Sequence, residues 1–173
     1  MFIFSCGFYS LAGSIPPHIK SISIPLVENQ TSDFNLSEDL TDKIISQFNE
    51  SGILSIQDEG SAHSILNGTI KKITDGPYSY NKNESVSEFR YKIDVKIEWY
   101  DNANEKNIIE KNYSGFGAYG LSGDISTDGI DNDNDGKIDS EDDNEFGEPR
   151  SFAANVAINK IAEDILNDIM TTW

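Results

Sequence analysis

The stretch DNDNDGKIDSED holds alternating carboxylates at a spacing that suits one chemistry closely. With Asp131 as position 1 of a calcium loop, Asp133, Asp135, Gly136, Ile138, Asp139 and Asp142 fall at positions 3, 5, 6, 8, 9 and 12. Ca²⁺ is a hard cation that takes about six to eight oxygen ligands. Alternating Asp side chains converge, Gly136 permits the sharp turn, and the Lys137 carbonyl fills position 7. The expected ligand set is therefore Asp131, Asp133, Asp135, Lys137, Asp139 and Asp142, with Ca²⁺ in a structural role. Two features depart from an EF-hand. Position 12 is Asp142 rather than the longer Glu, and no amphipathic helix flanks the loop on either side, so sensor-like switching is not expected. Asp128, Glu141, Asp143 and Glu145 would add field or an occasional ligand. The bland alternative is an acidic loop that repels itself open.

The second chemical feature is Cys6, the only cysteine in the chain. It has no disulfide partner, and with only His18 and His63 available it is poorly placed for metal ligation or nucleophilic catalysis. It follows apolar Ile3 and Phe4 and small Ser5, and precedes small Gly7, an order that resembles a bacterial lipobox. Cleavage before Cys6 would make it the acylated N-terminus and leave residues 1–5 as a residual signal peptide. A secretory signal needs a charged start and about 7 to 15 apolar residues. Met1 then reads as an internal methionine or a truncated start. Two or more acyl chains anchor a protein stably where one does not. Gly7 in place of Asp points to outer-membrane sorting. The alternative for Cys6 is an inert thiol near a frayed terminus.

The elements that would position these groups follow from charge and periodicity. The chain has 173 residues, 37% of them hydrophobic, which suits one domain with a real core. The net charge is −17, but residues 124–148 hold 11 acids against one Lys, so most of the acidity is a local insert. Residues 120–148 are read as that insert and 6–173 as a single domain around it. An acidic chain without a basic stripe argues against nucleic acid. No apolar run approaches the roughly 18 residues that span a bilayer.

Ile19 to Val27 alternates Ile22, Ile24 and Leu26 and reads as a strand, with Pro25 pushing it to an edge or a bulge. Asn35 or Ser37 can cap a helix of about four turns that carries Leu40, Ile44, Ile45 and Phe48 at helical spacing and stops at Gly52. Residues 53–57 and 64–74 are β-rich, and 75–85 (DGPYSYNKNES) reads as turn throughout. From Glu88 to Tyr100, Phe89, Tyr91, Ile93, Val95, Ile97 and Trp99 alternate with Arg90, Lys92, Asp94, Lys96 and Glu98, which predicts a long strand with one wet face. DNANEK then turns the chain into a hairpin partner over 107–119. The glycine-rich GFGAYGLSG reads as a flexible lead into the insert or a loop threading a barrel lumen. A last helix begins near Pro149, with Ala154, Ala157, Ile158, Ile161, Ala162, Ile165 and Ile169 as an apolar stripe. The expected fold is α+β, a two-layer sandwich of two helices on one face of a mainly antiparallel four-stranded sheet. His18 and His63 read as exposed turn residues.

The block CGFYSLAGSIPPHIKSISIPLVEN, the later QDEG ahead of a strand containing Gly68, and a final helix ending in Trp173 together resemble the LptE family of lipopolysaccharide-assembly lipoproteins, in its divergent branch. In the first block Cys6, Gly7, Tyr9, Gly13, Pro16, Pro17, Pro25 and Asn29 fall in the family's order. The acidic insert is not typical of it. The resemblance implies a lipid-anchored protein on the periplasmic face of the outer membrane that plugs and helps assemble an LptD-like β-barrel, the translocon that inserts lipopolysaccharide. It also implies two helices on a four-stranded sheet. Members contact lipopolysaccharide through basic residues. Those positions do not carry over, so Arg90, Lys92 and Lys96 are contact candidates on chemistry alone, against the alternative of a solvated strand face whose lysines discourage edge pairing. No nucleophile with His and acid, phosphate-cradling Gly loop or zinc set is recognisable, so no enzymatic activity is expected. The competing function is a free-standing lipidated calcium-binding or adhesion module.

Overall fold

A computed structural model of the chain describes residues 15–121, 124–142 and 146–171. The elements run β1 (Ser21–Ser23), β2 (Glu28–Asn29), α1 (Leu36–Ser51), β3 (Ser55–Ile56), β4 (Ser64–Tyr80), β5 (Val86–Asp101), β6 (Lys106–Tyr119) and α2 (Pro149–Thr171), with short 3₁₀ turns at Ile125–Thr127 and Asp139–Glu141 inside the insert.

The β5 alternation decides the sheet. Tyr91, Ile93, Val95, Ile97 and Trp99 are all buried on the helix side, and the charged residues between them face outward. Burying one such side chain stabilises by about 1.5 to 3 kcal/mol, whereas an exposed ion pair contributes roughly 0 to 1. The apolar face, not the charges, therefore sets the register of β5 against β4 and β6, both antiparallel to it. Leu36, Leu40, Ile44 and Phe48 of α1 and Ala153, Ala157, Ile158, Ile161, Ala162, Ile165 and Ile169 of α2 close the core on that same face. Gly52 ends α1 as expected, at φ 62° with its N–H on the Phe48 carbonyl. Asn35 is the first-turn neighbour, but its side chain makes no capping bond.

The four-stranded, mainly antiparallel expectation is corrected to a mixed sheet of six strands in the order β3-β1-β4-β5-β6, with β2 also paired to β4. β1 is parallel to both β3 and β4, and β2 is parallel to β4. The reason is the helix between β1 and β3: a strand joined to its neighbour by a helical crossover must return in the same direction. Of the strand expected over 19–27 only Ser21–Ser23 pairs; the ladder stops before Pro25, which lacks the N–H a ladder needs, and pairing resumes beyond the expected span at Glu28–Asn29.

Residues 75–80, expected as turn, are the outer third of β4. The continuous β5 provides the pairing template, and register irregularities between Ile70 and Lys72 and from Pro77 to Tyr80 accommodate Gly76 and Pro77. The true turn is Asn81 to Ser85, where the Asn81 carboxamide oxygen accepts the Asn83 and Ser85 N–H groups. The hairpin partner expected over 107–119 is β6, so Gly115 and Gly117 lie within a strand and the flexible-lead or threading-loop reading of GFGAYGLSG is corrected there. A Cβ at Gly115 would meet the Ala157 carbonyl oxygen at 2.1 Å, and one at Gly117 would meet that of Ala153 at 2.3 Å. These glycines let α2 lie directly on the strand.

Candidate functional site

The insert folds around three of its six expected ligands. Carboxylate oxygens of Asp131, Asp133 and Asp135 lie within 4.8 Å of one another. Short bonds hold them there. Asp131 accepts the N–H groups of Asp135 and Gly136, each at 3.0 Å, Asp133 also accepts Asp135 N–H at 3.0 Å, and Asp135 accepts Lys137 N–H at 2.9 Å. Gly136 takes φ 96°, the left-handed turn that its position in the pattern calls for. Asp139 stands outside the trio and closes the base of the loop, accepting Gly129 N–H at 3.0 Å. Asp142 is buried, at 3% exposure. Burial pushes the Asp133 carboxyl up; the Asp135 N–H pulls it down, and the nearby charges of Asp135, Asp142 and Asp131 push it up further. The bond from Lys137 N–H, reinforced by the Lys137 ammonium at 3.2 Å, holds Asp135 below its usual value. The trio is thus an array of hard oxygens under mutual repulsion, the donor chemistry that suits Ca²⁺.

Residues the motif does not include fasten this loop to the fold. Ala118 of β6 donates its N–H to the Asn132 carbonyl at 3.1 Å, and Asn132 returns its side-chain N–H to the Ala118 carbonyl at 3.0 Å. Asp128 accepts Gly120 N–H at 2.6 Å and the Asn132 side chain at 3.2 Å. Ile125 is fully buried. Where the insert ends, Arg150 reaches Asp75 at 2.6 Å and Asp33 at 3.3 Å, with its guanidinium 4.7 Å from the centre of the Tyr91 ring. Tyr91 donates to Asp33 and Tyr119 to Asp75. Burial, followed by these acidic partners, pushes both phenols well above the usual tyrosine value. This cluster joins β4, β5, β6, the approach to α1 and the start of α2, elements far apart in sequence, and no local pattern announces it.

The three cations proposed for lipopolysaccharide contact share the wet face of β5, and each already has an acidic neighbour. Arg90 bonds Glu88 at 2.7 Å, Lys92 bonds Asp94 at 2.7 Å, and Lys96 reaches Glu110 at 2.7 Å and Glu98 at 3.0 Å. Arg90 is further held between the rings of Tyr78 and Phe116, at 3.3 and 4.4 Å from their centres. The face is a ladder of ion pairs rather than a bare phosphate cluster. Near its Arg90 end a groove of about 710 Å³ runs between Ser114, Gly115, Phe116 and Ala118 of β6, loop residues 129–134 and Val156 and Lys160 of α2.

Both histidines are exposed, as expected, but neither is an idle turn residue. His18 bonds the buried Asp101 carboxylate at 2.8 Å, and His63 shares a 2.7 Å bond with Ser21. Cys6 lies outside the described residues, as do Asp143 and Glu145.

The family model described as lipopolysaccharide-assembly LptE matches residues 19–172. No curated protein sequence matches the chain. Among solved structures, a hypothetical protein from Chlamydia trachomatis aligns with TM-score 0.55 at 12% identity over 87% of this chain and 98% of that one. A protein from Xanthomonas campestris aligns with TM-score 0.56 at 7% identity over 90% and 88%. A minor lipoprotein from Acinetobacter baumannii aligns with TM-score 0.51 at 14% identity over 90% and 93%. At these identities the solved structures establish a shared fold, while the family model spans the chain from the start of β1 to the end of α2; this protein belongs to the LptE family of lipopolysaccharide assembly.

Proposed function

We propose that the chain is a non-enzymatic lipoprotein subunit that partners an LptD-like β-barrel in assembling and inserting lipopolysaccharide. In this reading it is anchored to the periplasmic face of the outer membrane by acyl chains on Cys6. The family match over residues 19–172 carries the reading. No helix among the described residues is long and apolar enough to cross a membrane, so the acyl chains would supply the attachment. Lipopolysaccharide itself would meet the wet face near Arg90, Lys92 and Lys96, after exchange of their present acidic partners.

The insert adds a structural Ca²⁺ held by Asp131, Asp133, Asp135, the Lys137 carbonyl, Asp139 and Asp142. The convergence of the first three supports it. Asp139 would have to turn in from Gly129 to complete the set. The same convergence favours the second reading, a lipidated calcium-binding or adhesion module in which the loop is the working part.

Affinity purification of the anchored protein from its own outer membrane, with mass spectrometry of co-purifying proteins, separates the two. A stoichiometric β-barrel of the lipopolysaccharide translocon is the expected result. The lipoprotein alone, or with surface polysaccharide only when Ca²⁺ is present, would sink the translocon reading.

A further inference from the structure

β6 is the last strand of the sheet, and its outer edge has an uneven defence. Its first half carries the charges that normally guard a sheet edge, Glu110 paired to Lys96 and Lys111 paired to Asp168. Its second half, Ser114-Gly115-Phe116-Gly117-Ala118, has no charge and no proline.

The direction of the backbone groups there follows from a single bond. Ala118 donates outward, to Asn132 in the insert, so its pair with Arg90 is a non-hydrogen-bonded pair of the β5–β6 ladder. Alternation makes Phe116 opposite Lys92 and Ser114 opposite Asp94 non-hydrogen-bonded pairs as well. Their N–H and C=O groups therefore point away from β5. Among the described residues, Asn132 fills the Ala118 rung and no backbone pairs with the two rungs below it. Those rungs open into the groove of about 710 Å³, walled by Val156 and Lys160 on one side and the loop on the other. The insert thus begins a strand pairing along β6 and stops after one step.

We propose that β6 from Ser114 to Ala118 is a strand-acceptor edge that takes an extended, basic peptide segment of a partner protein, continuing the pairing that Asn132 starts. Main-chain bonds would give the affinity and alternate side chains the selectivity. Arg90 and Lys160 in the groove already face Glu88 and Asp164, so in the metal-free loop Asp131 and Asp133 leave it acidic, and Ca²⁺ bound there would compete with the peptide. A net charge of −17 disfavours a second copy of this chain in the same place.

The test is amide hydrogen exchange by NMR on the full chain in metal-free buffer, with and without the synthetic peptide Lys-Thr-Val-Thr-Val-Lys. In the free chain the Ser114 and Phe116 amides should exchange fast, while those of Gly115 and Gly117, facing β5, are slow. Saturating peptide should slow Ser114 and Phe116 by about tenfold or more, and the matching Glu-ended peptide should not. Ser114→Pro removes an outward N–H, and with it the Ser114 Oγ bond to Asp94, but no backbone bond to β5, and should abolish peptide protection at Phe116 with Gly115 and Gly117 unchanged. Asp133→Asn, which leaves β6 itself intact, should weaken binding of the basic peptide if the proline variant fails to fold. Slow Ser114 and Phe116 amides in the dilute free chain would overturn the proposal. So would protection that rises with protein concentration alone, equal binding of both peptides, or no protection at millimolar basic peptide.

Discussion

Asp101 shows how much one side chain can organise at the end of a hairpin. It is 1% exposed, and it accepts His18, the Asn104 side chain and the N–H groups of Ala103 and Asn104. Burial alone pushes its carboxyl up, but the bonds from Asn104, His18 and Ala103 outweigh it and hold the group below its ordinary value. A carboxyl depressed in the folded state contributes stability that is present above its unfolded value of about 3.9 and lost as pH falls through the folded value. Asp101→Asn should therefore be less stable than wild type near neutral pH. The gap should close below about pH 4, as the wild-type carboxyl protonates. Urea unfolding at several pH values checks this, and a gap independent of pH would count against it. The sequence marked DNANEK as a turn, and the turn is there. What it did not mark was His18, which lies 83 residues from Asp101 in the chain and meets it only because β1 packs beside the start of β4.

At the scale of elements, the contact between α2 and β6 rests on two missing Cβ atoms. Gly115→Ala or Gly117→Ala places a methyl into the backbone of Ala157 or Ala153, so helix and strand must separate. The expected cost is about 1 to 3 kcal/mol or more in urea unfolding. Gly76→Ala, which meets nothing within 4 Å, should change stability by no more than about 0.5 kcal/mol. Equal effects at the three positions would sink the assignment. Periodicity found α1, β5, β6 and α2 because each buries one repeating face. It missed the outer third of β4 because Gly76, Pro77 and the polar residues around them carry local turn propensity, which the β5 template overrides. It read the β6 glycines as flexibility for the same reason: a glycine required by a close helix is indistinguishable, in one sequence, from a glycine in a loop.

For the whole molecule, the insert should behave as a metal-linked attachment to a fold that stands without it. Sites of this class bind Ca²⁺ at roughly 10⁻⁴ to 10⁻³ M, so about 10 mM Ca²⁺ should add about 1 to 3 kcal/mol and raise Tm by about 3 to 10 °C. Asp133→Asn should abolish the rise. Replacing residues 124–147 with a Gly/Ser linker should also abolish it and leave cooperative unfolding, because the core of β4, β5, β6, α1 and α2 lies outside that segment apart from Ile125. Calorimetry with Ca²⁺ and with Mg²⁺ measures all three proteins. By itself the sequence determined the alternating face of β5, the two amphipathic helices, the Gly52 stop, the loop pattern from Asp131 to Asp142 and the family resemblance. All of these are local or periodic, written in residues close together in the chain. Only the tertiary structure decided the parallel placement of β1 to β3, the seat of the loop on Ala118, the Lys96–Glu110 pair between β5 and β6, and the Arg150 cluster. Those depend on groups that approach one another after the helix crossover closes and the long strands pair, and no spacing along the chain encodes that meeting.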